Sequence, residues 1–251
     1  MFLRCLSLLL LCSSAFAGEL RVCAEPDNLP FSHDSQSGFE NRIARLLAED
    51  LKVDLRYEWQ PQRRGFVRKT LGAGLCDVWM GVPAGFERAL TTRPYYRSTY
   101  VFVYGARPLK SFDDPALGAL RLGVQLPGND GAATPAGYAL AARGAVENVR
   151  GYPIYGEHPA AERIVEAIAR GELDAGVVWG PAAGFFARTS KLGVAPAHAP
   201  QELASMPFEF SIAIGVKRGN RELRDRLDAA LAQRKTEVDA VLDEFAVPRL
   251  R

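Results

Sequence analysis

The chain has 251 residues, with 31 Lys+Arg against 29 Asp+Glu and a formal net charge of +2. So even a balance excludes nucleic-acid or membrane-surface binding that rests on a broad basic bias. Apolar residues make up 48% of the sequence, enough to fill one large domain or two of ordinary size.

Residues 1–4 carry one positive charge, residues 5–12 are almost wholly apolar, and Ala15-Phe16-Ala17 is a small-residue cleavage site. That order predicts a secretory signal peptide over residues 1–17. The apolar run is too short for a hydrocarbon layer of about 30 Å, which needs roughly 20 apolar residues. Cys12 follows Leu11, where a lipobox wants a small side chain. The mature chain is therefore expected to begin near Gly18 and to be exported and soluble. Losing Arg4 leaves 30 Lys+Arg against 29 acids, a net charge of about +1. Two cysteines remain, Cys23 and Cys76. An even count in an exported chain reads as one disulfide, with two buried free thiols as the alternative.

Strand and helix signals then alternate. Residues 20–24 read as a short strand. Phe39, Ile43, Leu46, Leu47 and Leu51 fall at helical spacing over residues 39–51. Residues 53–59 alternate apolar and polar, as a strand does. Residues 64–71 read as a helix closed by Gly72 and Gly74. Residues 77–82 are apolar enough to be central in a parallel sheet. Downstream the pattern restarts: a strand over 120–125, a helix over 135–142 with Thr134 as N-cap and Pro135 at its first position, an irregular strand within 146–155, a helix over 160–169, and a buried strand over 175–179. Gly74-Leu75-Cys76-Asp77-Val78 is echoed by Gly171-Glu172-Leu173-Asp174-Ala175. Both strands run on into a turn, Pro-Ala-Gly-Phe at 83–86 and Pro-Ala-Ala-Gly-Phe at 181–185. The repetition predicts two similar α/β lobes.

Residues 99–105 are the expected exit from the first lobe, and residues 208–216 the expected return. Two such crossings make a hinge. Two helices over 221–245 complete the first lobe. The domain expectation is a signal peptide at 1–17, lobe I at 18–105 plus 210–251, and lobe II at 106–209.

In open α/β sheets, ligands bind beyond the carboxyl ends of the strands, so facing lobes put those ends in one interlobe cleft. From lobe I the candidates are Asn28, Phe31, Trp59, Arg63, Arg64 and Tyr95. From lobe II they are Asp130, Thr134, Tyr155 and Trp179. Trp59 and Trp179 stand at strand ends, and an arginine can hold a carboxylate bidentately. Catalytic signals are poor. His33, His158 and His198 lack metal spacing, and no nucleophile-elbow, zinc-protease or P-loop string occurs. The expectation is a binding protein with no intrinsic cofactor or metal, and not an enzyme.

The strings Cys23-Ala24-Glu25-Pro26-Asp27-Asn28-Leu29-Pro30-Phe31-Ser32 and Gly38-Phe39-Glu40-Asn41-Arg42-Ile43-Ala44 resemble the type II periplasmic solute-binding proteins, family 3. Three narrower strings are Trp59-Gln60-Pro61-Gln62-Arg63-Arg64-Gly65-Phe66, Cys76-Asp77-Val78-Trp79-Met80-Gly81-Val82-Pro83, and Thr91-Thr92-Arg93-Pro94-Tyr95-Tyr96-Arg97-Ser98. With Glu244-Phe245-Ala246-Val247-Pro248, they resemble the subfamily associated with quinoprotein alcohol dehydrogenases, the J proteins of methanol oxidation. The resemblance implies a two-lobed fold with a two-strand hinge. It also implies an accessory role in assembling or activating a PQQ-dependent methanol or alcohol dehydrogenase, with a transient contact to its quinone. The alternative is an ABC-transporter receptor, partnered by a permease, for a small non-amino-acid solute. Amino-acid receptors place an aspartate where this chain has Trp179, and carry an arginine after the third strand at a spacing this chain does not keep.

Overall fold

Leu20 and Val22 enter one hydrophobic core and Cys23 enters another, because successive residues of the first strand, β1 (Glu19–Ala24), face opposite sides of a sheet. A computed structural model describes residues 18–127, 133–154 and 158–250. The expected signal peptide, Asp130 and Tyr155 lie outside the described residues. Among those described, no helix is long and apolar enough to cross a membrane.

The amino-terminal half continues with a short pair, β2 (Asp27–Asn28) and β3 (Ser32–His33), then α1 (Phe39–Leu51), β4 (Asp54–Trp59), α2 (Phe66–Lys69), β5 (Val78–Pro83) and β6 (Leu90–Thr91). The long strand β7 (Tyr96–Tyr104) leads out. There follow β8 (Leu122–Leu126), α3 (Pro135–Ala142), β9 (Val149–Pro153), α4 (Ala160–Ala169), β10 (Ala175–Trp179), α5 (Gly180–Ala187) and β11 (Gly193–Pro196). The chain returns through β12 (Glu209–Val216) and ends with α6 (Arg221–Gln233) and α7 (Lys235–Glu244).

The two lobes repeat one arrangement. In lobe I the order is β4-β1-β5-β12, with β1 parallel to β4 and β5 and with β12 antiparallel to β5. In lobe II it is β9-β8-β10-β7, with β8 parallel to β9 and β10 and with β7 antiparallel to β10. Each lobe thus borrows its antiparallel strand from a chain crossing. The expectation of a central parallel position for β5 is corrected on one side, where its neighbour is the returning β12. The halves of β7 belong to different sheets: residues 96–99 pair with β12, and residues 100–104 pair with β10 and β11.

The echoed glycine and aspartate have matching roles. Gly74 and Gly171 have φ of +78° and +72°, left-handed values at which a side chain is strained. Asp77 binds the Arg21 guanidinium bidentately, at 3.0 and 2.7 Å, and accepts from the Arg21 backbone N–H at 3.2 Å. Asp174 does the same to Arg121, at 3.1, 2.7 and 2.8 Å. Each pair ties the start of a lobe's third strand to its first.

Two expectations are corrected. The helix expected at 64–71 is only α2, because Gly65 at φ +88° is left-handed and cannot continue a helical turn. The second segment, Pro-Ala-Ala-Gly-Phe, is helix α5 and not a turn. Ala182, Ala183 and Ala187 bury a small-residue face in the lobe II core, whereas charged Glu87 and Arg88 follow the first segment. Thr134 caps α3, its hydroxyl accepting from the Gly137 N–H at 3.3 Å.

Lobe I is built on Phe39, Ile43 and Leu47 of α1, packed against β1, β5, α6 and α7. The opposite face of its sheet holds the Cys23–Cys76 disulfide, with Cα atoms 5.5 Å apart, covered by Phe66 and Leu71. Lobe II has a core on each face of its sheet. The carboxyl-terminal tail straps the crossing. The Ser98 hydroxyl donates to the Pro248 carbonyl at 2.5 Å, and the Leu250 N–H donates to the Arg97 carbonyl at 2.9 Å.

Candidate functional site between the lobes

The end of β1 runs into Glu25, whose carboxylate accepts from the backbone N–H of Gln62 in the loop after β4. These two strand ends lie side by side, since β1 and β4 pair in register up to Ala24 and Trp59. Glu25, Asp27 and Asn28 from one loop and Pro61, Gln62 and Arg63 from the other line a cavity of about 220 Å³. Its remaining wall is Ile154, just past β9 in lobe II and 43% exposed.

The cavity is acidic. Burial raises the Glu25 carboxyl above its ordinary range, and the neighbouring Asp27 charge adds to this; the Gln62 N–H and the Arg63 charge oppose it. Across the seam, Glu162 in the first turn of α4 is also raised, first by burial, then by Glu166, with Asp27 contributing. His158 lies 3.8 Å from Glu162 and acts in the opposite sense. Two lining carboxyl groups against one guanidinium, with Glu162 close enough to feel Asp27, suit a cation or hydrogen-bond donors. Among the described residues they do not converge into a group able to hold a metal ion.

The backbone groups that would greet an anion are already engaged. The carbonyls of Pro30 and Phe31 accept from the Phe39 and Glu40 N–H groups at the start of α1, at 2.8 and 2.9 Å. Asn41 Oδ1 accepts from the N–H groups of Gly38 and His33. In lobe II the Thr134 hydroxyl donates to the Gln125 carbonyl at 3.1 Å, and Gln125 Oε1 accepts from the Trp179 N–H at 2.9 Å. The strand ends of lobe II are thereby closed on one another.

Of the residues expected at the cleft, Asn28 and Arg63 line the cavity. Asp130 and Tyr155 lie outside the described residues, and the remaining described ones are engaged as follows. Arg64 opens onto a different groove, described below. Trp59 stacks on Tyr57, centroids 4.6 Å apart, on edge strand β4. Trp179 lies edge-on between Tyr100 and Phe210, each centroid at 5.5 Å, packed at the lobe crossing. Tyr95 packs on Tyr96 in lobe I, and burial raises its hydroxyl well above the ordinary range. Thr134 is 9% exposed and spent on its cap. Phe31 packs against the cores of both lobes. Sequence reasoning missed Glu25, Asp27 and Glu162 as a facing set. The first two lie within three residues of Asn28, which was expected at the cleft, but Glu162 reads as an ordinary helix-start acid.

The family described as bacterial extracellular solute-binding proteins, family 3, matches residues 20–245. Protein MoxJ of Methylorubrum extorquens is 32% identical over 248 residues, covering 93% of this chain and 82% of that protein. Protein MoxJ of Paracoccus denitrificans is 30% identical, covering 92% and 89%. The crystal structure of the periplasmic binding protein XoxJ from Methylobacterium extorquens AM1 superposes with a TM-score of 0.76. It is 35% identical, covering 92% of this chain and 99% of that one.

Proposed function

The chain belongs to the bacterial extracellular solute-binding proteins, family 3, and on that premise we propose that it is a periplasmic accessory protein of a quinoprotein methanol or alcohol dehydrogenase, assisting its assembly or activation. The observation that carries this reading is the similarity to MoxJ at 32% identity over 93% of the chain. It agrees with the resemblance of the Trp59 and Thr91 strings to the J proteins of methanol oxidation. The cleft supports it by what occupies the usual anchor points. Trp179 stands where an amino-acid receptor places its acid, and its indole is committed to packing. A buried ligand charge left without its partner typically costs several kcal/mol, so free amino acids should bind poorly.

The quinone itself does not fit the cavity. Its carboxylates would meet Glu25 and Asp27 in about 220 Å³, where Arg63 is the one cationic lining residue. On this reading the activating contact is with the dehydrogenase protein. A second reading draws on the same acids: a receptor for a small cationic solute other than an amino acid.

The deciding experiment mixes the mature protein with the quinoprotein dehydrogenase of the same periplasm and follows complex formation by gel filtration and calorimetry. A saturable complex is expected, with no heat from any free amino acid. Absence of a complex would overturn the proposal, and micromolar binding of an amino acid would move the chain to the transport class.

A further inference from the structure

Arg64 points away from the cleft into a groove of about 730 Å³ on lobe I, which it shares with Arg68 and Lys69 of α2, Arg88 of the turn after β5, and Arg218 after β12. Five cations from three separate segments, residues 64–69, Arg88 and Arg218, line it. Among the described residues, no acidic side chain lines the groove, and none of the five pairs with a carboxylate. Other arginines are bound to acids: Arg21 to Asp77, Arg121 to Asp174, and Arg234 to Asp50. The chain as a whole is nearly neutral, so this grouping is a local segregation of charge and not a general basic surface.

The groove is also shaped. Gly65 and Gly72 form part of its wall together with the side of Val67. A Cβ on Gly65 would lie 3.6 Å from Arg68 and 3.7 Å from Lys69, so those two side chains extend over the glycine. The Arg218 guanidinium donates to the Glu87 carbonyl, which fixes one end. Unpaired cations repel one another, a cost an incoming anion would relieve.

We propose that this groove docks an acidic segment of a partner protein, laid along α2 between Arg64 and Arg218. The occupant follows from size and curvature. The volume exceeds that of one phosphate, and five cationic side chains line it, more than one phosphate could engage. A groove walled by glycines and the side of Val67 accepts a chain with side chains, whereas a bilayer presents a flat anionic surface. The proposal goes beyond the functional reading above and does not depend on it, since the cleft and the groove are different cavities.

The test uses the mature full-length chain and three probes: a peptide of about a dozen residues rich in Asp and Glu, inorganic phosphate, and phosphatidylglycerol vesicles. The peptide should bind, and its affinity should fall at least tenfold between about 25 and 300 mM NaCl as screening shortens the reach of the charges. The variant Arg68→Gln/Lys69→Gln/Arg88→Gln should bind it at least tenfold more weakly with an unchanged melting temperature. A control variant, Lys110→Gln/Lys191→Gln/Arg221→Gln, removes the same charge from exposed sites elsewhere and should bind like the parent. Equal losses in the two variants would overturn the proposal, as would vesicles or phosphate binding where the peptide does not. A missing dehydrogenase complex with intact peptide binding would defeat the functional reading and leave the groove standing.

Discussion

The Glu40 carboxyl fills the space a side chain on Gly81 would need: a Cβ built on Gly81 would lie 2.1 Å from Glu40 Oε1. Gly81 also has φ +71°, which disfavours any side chain. Glu40 is held in the first turn of α1, so it cannot retreat without disturbing the lobe I core. Gly81→Ala is expected to destabilise the protein by about 1–3 kcal/mol. Denaturant unfolding measures this, and a parental midpoint would mean that the carboxyl moves aside freely.

Burial pushes the Glu40 carboxyl up to about 8. The folded chain therefore keeps a proton that the unfolded chain gives up near pH ~4.3. Stability from this group is complete below the unfolded value and is lost as pH rises through the folded one. Melting temperature should fall between about pH 5 and pH 8, and Glu40→Gln should flatten that decline. An identical pH profile in the variant would show that other groups set the slope.

The Cys23–Cys76 disulfide closes a separation of 53 residues, and both cysteines are buried, at 1% and 0% exposure. The chain-entropy treatment gives a stabilisation of about 4 kcal/mol for such a loop. Thiol titration of the denatured, unreduced mature protein should find no free thiol. Cys23→Ala/Cys76→Ala should lower the unfolding free energy by roughly that amount; a small change would indicate residual order in the unfolded chain.

The two strand-end tryptophans should part company. Trp179 fills a packed site between Tyr100 and Phe210, so Trp179→Ala is expected to cost about 3–5 kcal/mol of stability. Trp59 rests half-buried against Tyr57 on an edge strand, and Trp59→Ala should cost about 1 kcal/mol. Equal costs for the two would contradict the packing described here.

What could be read in the sequence was what local periodicity and capping encode. The apolar spacing of Phe39, Ile43 and Leu47 specifies α1 over its full length. Thr134 followed by Pro135 specifies the start of α3, and the Gly-x-x-Asp echo specifies the common lobe plan. Side-chain direction at strand ends was not legible, because the neighbours that decide it come from distant segments. Trp179 points into packing because Tyr100 and Phe210 of the two crossing strands surround it. Arg63 and Arg64 are adjacent in the chain yet open onto different cavities. The Arg21 and Arg121 partners were invisible for the same reason: each lies on a strand that meets its aspartate only after the sheet forms.

The pairing of β7 with β12 bears on exchange between relatives as well as on folding. Thr99 stands opposite Glu209, and the Thr99 hydroxyl donates to the Phe208 carbonyl at 3.0 Å. The chain thus departs for lobe II and comes back at adjacent points. The whole second lobe is one continuous stretch of sequence whose two ends are neighbours in the fold. A relative's second lobe grafted at Thr99 and Glu209 would meet the same two strands, so chimaeras can assign partner choice to one lobe or the other.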